Sequence, residues 1–201
     1  MARTRNEDQY NDARTALLNV GLELMRKRSY DSVGLSDILR EAGVPKGSFY
    51  HYFSSKEEFG LAVASHYNAM DLESSGEILL APDRPASERL RNFFQVAYDN
   101  YVARGFSEGC LMCNLTAELT DREPAFQKVL SHHFQSLSDL IAQCLASMDL
   151  SEIGLSHLNH QEAADWLLNS WAGALTRMKA VRDGAPLQLF MRTTFSEDYS
   201  S

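Results

Sequence analysis

No apolar run in the 201-residue sequence approaches the roughly 18 residues that a membrane-spanning helix requires. Cysteine is nearly absent: three residues, an odd number too sparse for a disulfide scaffold, which points to a reducing, cytoplasmic compartment. Proline is scarce too, at 5, and no Val/Ile/Thr-rich alternating stretch occurs, which argues against a β architecture. The opening, Met1 to Asn6, is polar and basic and lacks the apolar centre of a signal peptide. A membrane protein, a secreted mini-protein and a β-sandwich are therefore not expected. With 44% hydrophobic and 23% charged residues, the chain has material for one ordinary domain, or a small domain fused to a modest one.

The formal net charge of −8 looks wrong for a nucleic-acid binder until the chain is divided. Residues 1–56 hold nine of the 19 Lys/Arg against seven of the 27 Asp/Glu, so this part is mildly basic and the remainder strongly acidic. Attraction to a polyanion is decided within a Debye length of ~8–10 Å, so the acidic mass does not forbid DNA contact by the first part.

Apolar residues recur at helical spacing almost throughout. The pattern predicts helices over 8–27, 36–42, 46–53, 56–80, 87–104, 110–119, 121–148, 160–182 and 187–194, with 149–159 as a loop. About nine helices and no strand predict an all-α fold. Gly43 stands where a left-handed residue ends a helix most easily, and Pro45 where proline is tolerated in a first turn. The expected boundaries are 1–56 for a three-helix N-terminal domain and 57–201 for a larger helical one.

Residues 35–53, LSDILREAGVPKGSFYHYF, have the shape of a helix-turn-helix: a short helix, a Gly-containing turn, a second short helix. Val44, Phe49 and Phe53 are expected inside. Lys46, Gly47, Ser48, Tyr50, His51 and Tyr52 give the second helix donors, a small residue and flat rings at the end that a recognition helix presents to a groove. Ser48 and Tyr50 suit base edges or thymine methyls, while Tyr52, Lys56 and free backbone N–H groups suit phosphates.

The string GVPKGSFYHYFSSKE, residues 43–57, resembles the DNA-binding segment of TetR-family transcriptional regulators, and the likeness extends over about residues 10–67. The sequence departs from it at Gly34-Leu35-Ser36, where many members carry a threonine cap. The resemblance implies a homodimer whose three-helix domains read palindromic operator DNA. The larger domains would dimerise and bind a small-molecule inducer that releases the DNA. No catalysis, metal, cofactor or membrane partner is implied.

A second segment stands out: Gly109-Cys110-Leu111-Met112-Cys113-Asn114. Cys110 falls at an expected helix start, where the dipole favours thiolate, and Cys113 lies on the same face, within reach of a disulfide with it. Three readings stay open: small core residues, a zinc site, and a reactive thiol. Zinc is disfavoured because no second Cys-x-x-Cys exists and the adjacent His132 and His133 point about 100° apart on a helix. The segment, with Glu118, Trp171-x-Gly173-Ala174 and Lys179, resembles the N-ethylmaleimide-repressor subgroup of the same family. That likeness implies that Cys110 reacts with electrophiles or oxidants and that Lys179 lies close to it. Cys113 and Asn114 are not part of the subgroup's pattern.

Tyr98, Tyr101, Phe106, Met112, Asn114, Phe134, Trp166, Trp171 and Arg177 are candidates for a mostly apolar pocket, with Cys110, Asn114 and Trp171 the ones expected beside it. Residues 163–175 are apolar nearly all round. With Leu187, Leu189, Phe190 and Phe195 they suit a four-helix dimer face, a plain core helix being the alternative. Two other classes remain: a thiol-dependent enzyme using Cys110, which lacks a recognisable base or oxyanion segment, and a helical adaptor for protein partners.

Overall fold

A computed structural model describes residues 2–195, and of residues 2–9 and Lys46 the backbone only. Among the described residues there are nine α-helices and no strand. They are α1 (Ala2–Lys27), α2 (Leu35–Ala42), α3 (Phe49–Tyr52), α4 (Lys56–Leu79), α5 (Ala86–Ala103), α6 (Leu111–Leu119), α7 (Pro124–Leu145), α8 (His160–Val181) and α9 (Ala185–Phe195). Local signals set most of the ends. The Ser55 hydroxyl accepts from the Glu58 N–H at the start of α4, Pro124 opens α7, and Asn159 with Glu162 forms a reciprocal capping box on α8. No helix of the described residues is long and apolar enough to cross a membrane.

The helices enclose two cores. The first gathers Leu17, Leu18, Ile38, Phe49, Phe53, Phe59 and Val63 of the N-terminal part with Leu111, Met112 and Leu115 of α6 and Phe126 of α7. The second gathers Leu79, Leu90, Phe94, Ile141, Leu167, Trp171 and Phe190. Both α4 and α7 run through the two, and Cys110 packs against each. The N-terminal helices thus share their core with α6.

Three expectations are corrected. The second helix of the helix-turn-helix is not continuous over 46–53: Lys46–Ser48 form a 3-10 turn closed by the Ser48 N–H on the Pro45 carbonyl at 2.8 Å, and only Phe49–Tyr52 are α-helical. Gly47 is a weak helix former, and Phe53 leaves the helix in extended backbone so that its ring packs on Phe49 and Phe59. Within 149–159, Leu150–Ile153 form a 3-10 turn that buries Leu150 and Ile153, a seal too short to show periodicity. On α8, the side toward solvent carries Asp165, Trp166, Asn169, Gly173 and Arg177, so the helix is covered on part of its circumference only. Leu187 and Phe190 of α9 are core residues of the single chain, whereas Leu189 is 51% exposed.

Phe94 is fully buried with its ring against Trp171 and Phe190, at 5.2 and 4.8 Å between centroids. Phe94→Ala is expected to lower unfolding stability by about 3–5 kcal/mol in a denaturant titration.

Candidate functional site

The α2–α3 turn hinges on Gly43, whose φ of 66° is the left-handed region that a Cβ disfavours. It lets the N–H groups of Gly43 and Val44 return to the carbonyls of Arg40 and Leu39 at 3.3 and 3.0 Å, and so closes α2. With Phe49 buried beneath, the 3-10 turn presents Gly47 and α3 presents Tyr50 and His51 outward, Tyr50 being 68% exposed. A Cβ added at Gly47 would meet no atom within 4 Å, so nothing inside the chain requires glycine there. Ser48 is half-buried in the turn. Tyr52 is half-buried too, with its ring 4.7 Å from that of Tyr10, whose hydroxyl donates to the His51 carbonyl at 3.3 Å. Tyr10 was not among the candidates; it is an isolated aromatic on the polar side of α1. The Lys46 side chain lies outside the described residues. Lys56 holds the α1–α2 corner: its Nζ donates to the Asp31 carbonyl at 3.2 Å and sits 4.7 Å from the Tyr30 ring centre.

The second group is built on α6. Cys110 is its N-cap residue and Cys113 its third residue. Cys110 is lowered to about 7, chiefly by a hydrogen bond from the Cys113 thiol and further by the backbone N–H groups of Cys113 and Met112, against burial and the nearby Asp71. Cys113 moves the opposite way, pushed up by donating to Cys110 and by burial. The proton of the pair therefore resides on Cys113 and the charge on Cys110. Around this thiolate the structure collects polar groups from other helices. Tyr67 of α4 and Tyr101 of α5 have phenols pushed well above their usual range by burial first and then by Cys110. Asp71 is raised by burial, and the Arg26 guanidinium lies 5.1 Å from the Tyr67 ring centre. The Nδ1–H of buried His133 donates to Asn68 Oδ1 at 2.8 Å, and the ring is held down to about 4 by burial and His132, so it is neutral. Of these five, Tyr101 was expected only as a pocket residue and His133 only as a disfavoured zinc ligand; Arg26, Tyr67 and Asp71 carried no expectation, and the five come from four helices with no shared local motif.

Lys179 meets the segment at the residue before the cysteine. Its Nζ donates to Asn114 Oδ1 at 2.9 Å, and a Cβ at Gly109 would stand 3.1 Å from its Cδ and 2.9 Å from Asn114 Oδ1. Gly109 is thus the space through which the lysine stem passes, and its ammonium bonds to an amide rather than to the Cys110 sulfur. Both ends of α6 are fastened to the N-terminal helices. The Glu118 carboxylate accepts the Tyr30 N–H at 2.6 Å, Arg122 pairs with Asp31 at 3.0 Å, and Glu108, only 5% exposed, pairs with Lys27 at 3.8 Å and Arg104 at 3.6 Å.

A cavity of about 560 Å³ opens between α6, α7 and α8. Its walls are Cys113, Thr116, Ala117, Ser131, Phe134, Gln135, Asp165, Leu168, Asn169 and Ala172. Of the residues expected beside a pocket, Cys110, Asn114 and Trp171 do not line this cavity. Cys113, Thr116 and Ala117 are the face of α6 that turns to it, Cys110 turns back into the seam between the cores, and Trp171 points from the other face of α8 into Phe94 and Phe190. Phe134 does line it. A smaller cavity of about 300 Å³ includes Tyr98 and Gln188. Among the described residues no group of three or more His, Cys, Asp or Glu is placed to hold a metal ion.

Comparison with known proteins decides the family. Residues 17–63 match the description "Bacterial regulatory proteins, tetR family", and residues 86–194 match "Tetracyclin repressor-like, C-terminal domain". The chain belongs to the TetR family. Among its relatives are the transcriptional regulator AcuR of Cereibacter sphaeroides, 32% identical over 95% of this chain and 87% of that protein, and the transcriptional repressor NemR of Escherichia coli, 30% identical over 91% and 92%. A crystal structure of a regulatory protein TetR from Rhodobacter sphaeroides has a TM-score of 0.84 at 31% identity, covering 90% of this chain and 96% of that one. The all-α TetR fold, with its N-terminal helix-turn-helix and C-terminal helical domain, is therefore established.

Since Cys110 titrates at about 7, its alkylation rate is expected to rise from pH 5.5 to 8.5 with a midpoint near 7. Cys113→Ala removes the donor that holds the thiolate, and the midpoint is expected to move upward. Initial rates with iodoacetamide, read by mass spectrometry, check both.

Proposed function

We propose that this TetR-family chain is a transcriptional repressor that binds a palindromic operator as a homodimer and lets go when Cys110 reacts with an electrophile. Residues 1–56 read the DNA and 57–201 sense and dimerise. Gly47, Tyr50 and His51 form the reading surface, with Lys46, Ser48 and Tyr52 beside it. Gly47 supports close approach to the duplex: neither its backbone nor its neighbours call for glycine, and a phosphate or base edge does. Lys56 serves by bracing the corner beneath. As a DNA-binding regulator of a bacterial family it acts in the cytoplasm.

The coupling is supported by α6, which carries the thiolate at one end and is fastened at both ends to the α1–α2 corner from which α3 hangs. An adduct on Cys110 grows at the seam of the two cores and must displace α6, hence the corner. Cys113, Asn114 and Lys179 tune the group: Cys113 holds the charge on Cys110, and Lys179 with Asn114 frames the Gly109 turn. Trp171 contributes by packing. Two-fold association is supported by the outward sides of α8 and α9, where Trp166 is 42%, Val181 56% and Leu189 51% exposed. The 560 Å³ cavity favours a second reading, a noncovalent inducer bound between α6, α7 and α8, since its size suits a small organic molecule.

Genomic fragments captured by the purified chain are expected to share an inverted repeat, with affinity falling steeply as salt rises. Treatment with N-ethylmaleimide is expected to release wild type without turnover, and Cys110→Ala is expected to stay bound. Equal release of both would remove the thiol from the reading and leave the noncovalent inducer; repeated turnover of the electrophile would replace the repressor with an enzyme. Gly47→Leu is expected to keep the melting temperature and to weaken operator binding at least about tenfold, or ~1.4 kcal/mol, in a mobility-shift titration.

A further inference from the structure

Cys110 and Cys113 are free, half-buried, and three residues apart across the first turn of α6. Cys110 is the N-cap of α6 and Cys113 its third residue, and a hydrogen bond joins the two thiols. They also face two different environments. Cys110 packs against both cores, whereas Cys113 is part of the wall of the 560 Å³ cavity. Cys144, the third cysteine, is buried elsewhere and bonds to the Ala86 carbonyl. One thiolate backed by one protonated thiol at a helix start, next to a cavity that admits small molecules, is the arrangement of a dithiol that closes on itself.

We propose that Cys110 and Cys113 are a redox-active pair that a hydroperoxide converts to a reversible intramolecular disulfide, with Cys110 as the attacking and Cys113 as the resolving sulfur. This rests on the reading of Cys110 as the reactive thiol and adds a second class of signal to it. The Cys110 thiolate attacks the terminal oxygen of ROOH and the O–O bond breaks. Sulfur is oxidised to the sulfenic acid, and the departing RO⁻ takes a proton from water to leave as ROH. The Cys113 sulfur then attacks Cys110, the S–O bond breaks, and the Cys113 proton leaves with the hydroxide as water. Two electrons leave the dithiol and reduce the peroxide, and a thiol reductant reverses the change.

Closure has a geometric consequence. Cβ atoms three apart on a helix stand about 5–6 Å from each other, and a disulfide draws them to ~3.8 Å. The residue free to move is the N-cap, because Leu111 onward is held in α6. Cys110 therefore carries Gly109 and Glu108 with it, and Glu108 is the partner of Lys27 at the end of α1. At the same time Cys113 withdraws from the cavity wall. An alkylating agent that adds to Cys110 alone does neither.

The test uses the full chain, reduced and free of DNA, treated with hydrogen peroxide, with remaining thiols blocked by N-ethylmaleimide. Both cysteines lie between Arg104 and Arg122, so one tryptic peptide carries them. The expected result is a peptide short of two hydrogens that takes up no maleimide and regains two equivalents after dithiothreitol. Cys144→Ser is expected to behave as wild type. Cys113→Ser is expected to stop at the sulfenic acid and to take up dimedone at Cys110. A wild-type chain that takes up dimedone at Cys110 while Cys113 remains alkylatable overturns the proposal, as does a bond between two chains on a non-reducing gel. The two readings separate cleanly. Maleimide-driven DNA release with no disulfide in the peroxide arm keeps the sensor and removes the pair; a disulfide in the peroxide arm with no maleimide-driven DNA release keeps the pair and removes the sensor.

Discussion

The interaction on which the rest of the structure depends is the Glu118 carboxylate on the backbone N–H of Tyr30 at 2.6 Å. That N–H sits at the corner between α1 and α2, where no helix partner satisfies it, and a charged acceptor makes a stronger bond than a neutral one. Arg122 on Asp31 and Lys27 on Glu108 flank it. Because the helix-turn-helix hangs from this corner, its position relative to the larger domain is set by α6. The shared core says the same thing in apolar terms: Leu111, Met112 and Leu115 pack among the residues that support α3.

The opposite end of α6 holds an unusual proton distribution. A thiol this enclosed would ordinarily be pushed up by burial, as Cys144 is. Cys110 goes down because three donors converge on it: the Cys113 thiol and two N–H groups of the first turn, which have no helical acceptor of their own. The neighbouring phenols and the Asp71 carboxyl are raised, chiefly by burial. One charge is concentrated on one atom, at the seam of two cores.

How much of this was legible in the sequence follows the range of the interactions. The helix-turn-helix was, because Gly43, Pro45 and the apolar spacing act within a few residues. The break of its second helix was not, because Phe53 leaves the helix to meet Phe59, a tertiary demand. Cys110 at a helix start was readable from Gly109 and the apolar run behind it. Its partners Arg26, Tyr67 and Asp71 were invisible, being spread over two helices, and Tyr101 was expected only as a pocket residue. Trp171 misled because α8 is apolar on more than one face, and periodicity does not say which face meets a cavity. Lys179 came with the family likeness; the structure brings it to Gly109 and Asn114.

Cys110 touches both cores, and interiors packed to crystal-like density have no spare room at such a junction. Whatever is added to that sulfur is therefore measured by its bulk. A single oxygen strains its surroundings little, whereas a ring or a branched chain overpacks the joint at about 1–3 kcal/mol and forces helices apart. The junction is sensitive to steric volume, a bulky group on Cys110 disturbing the packing of both cores more than a small one.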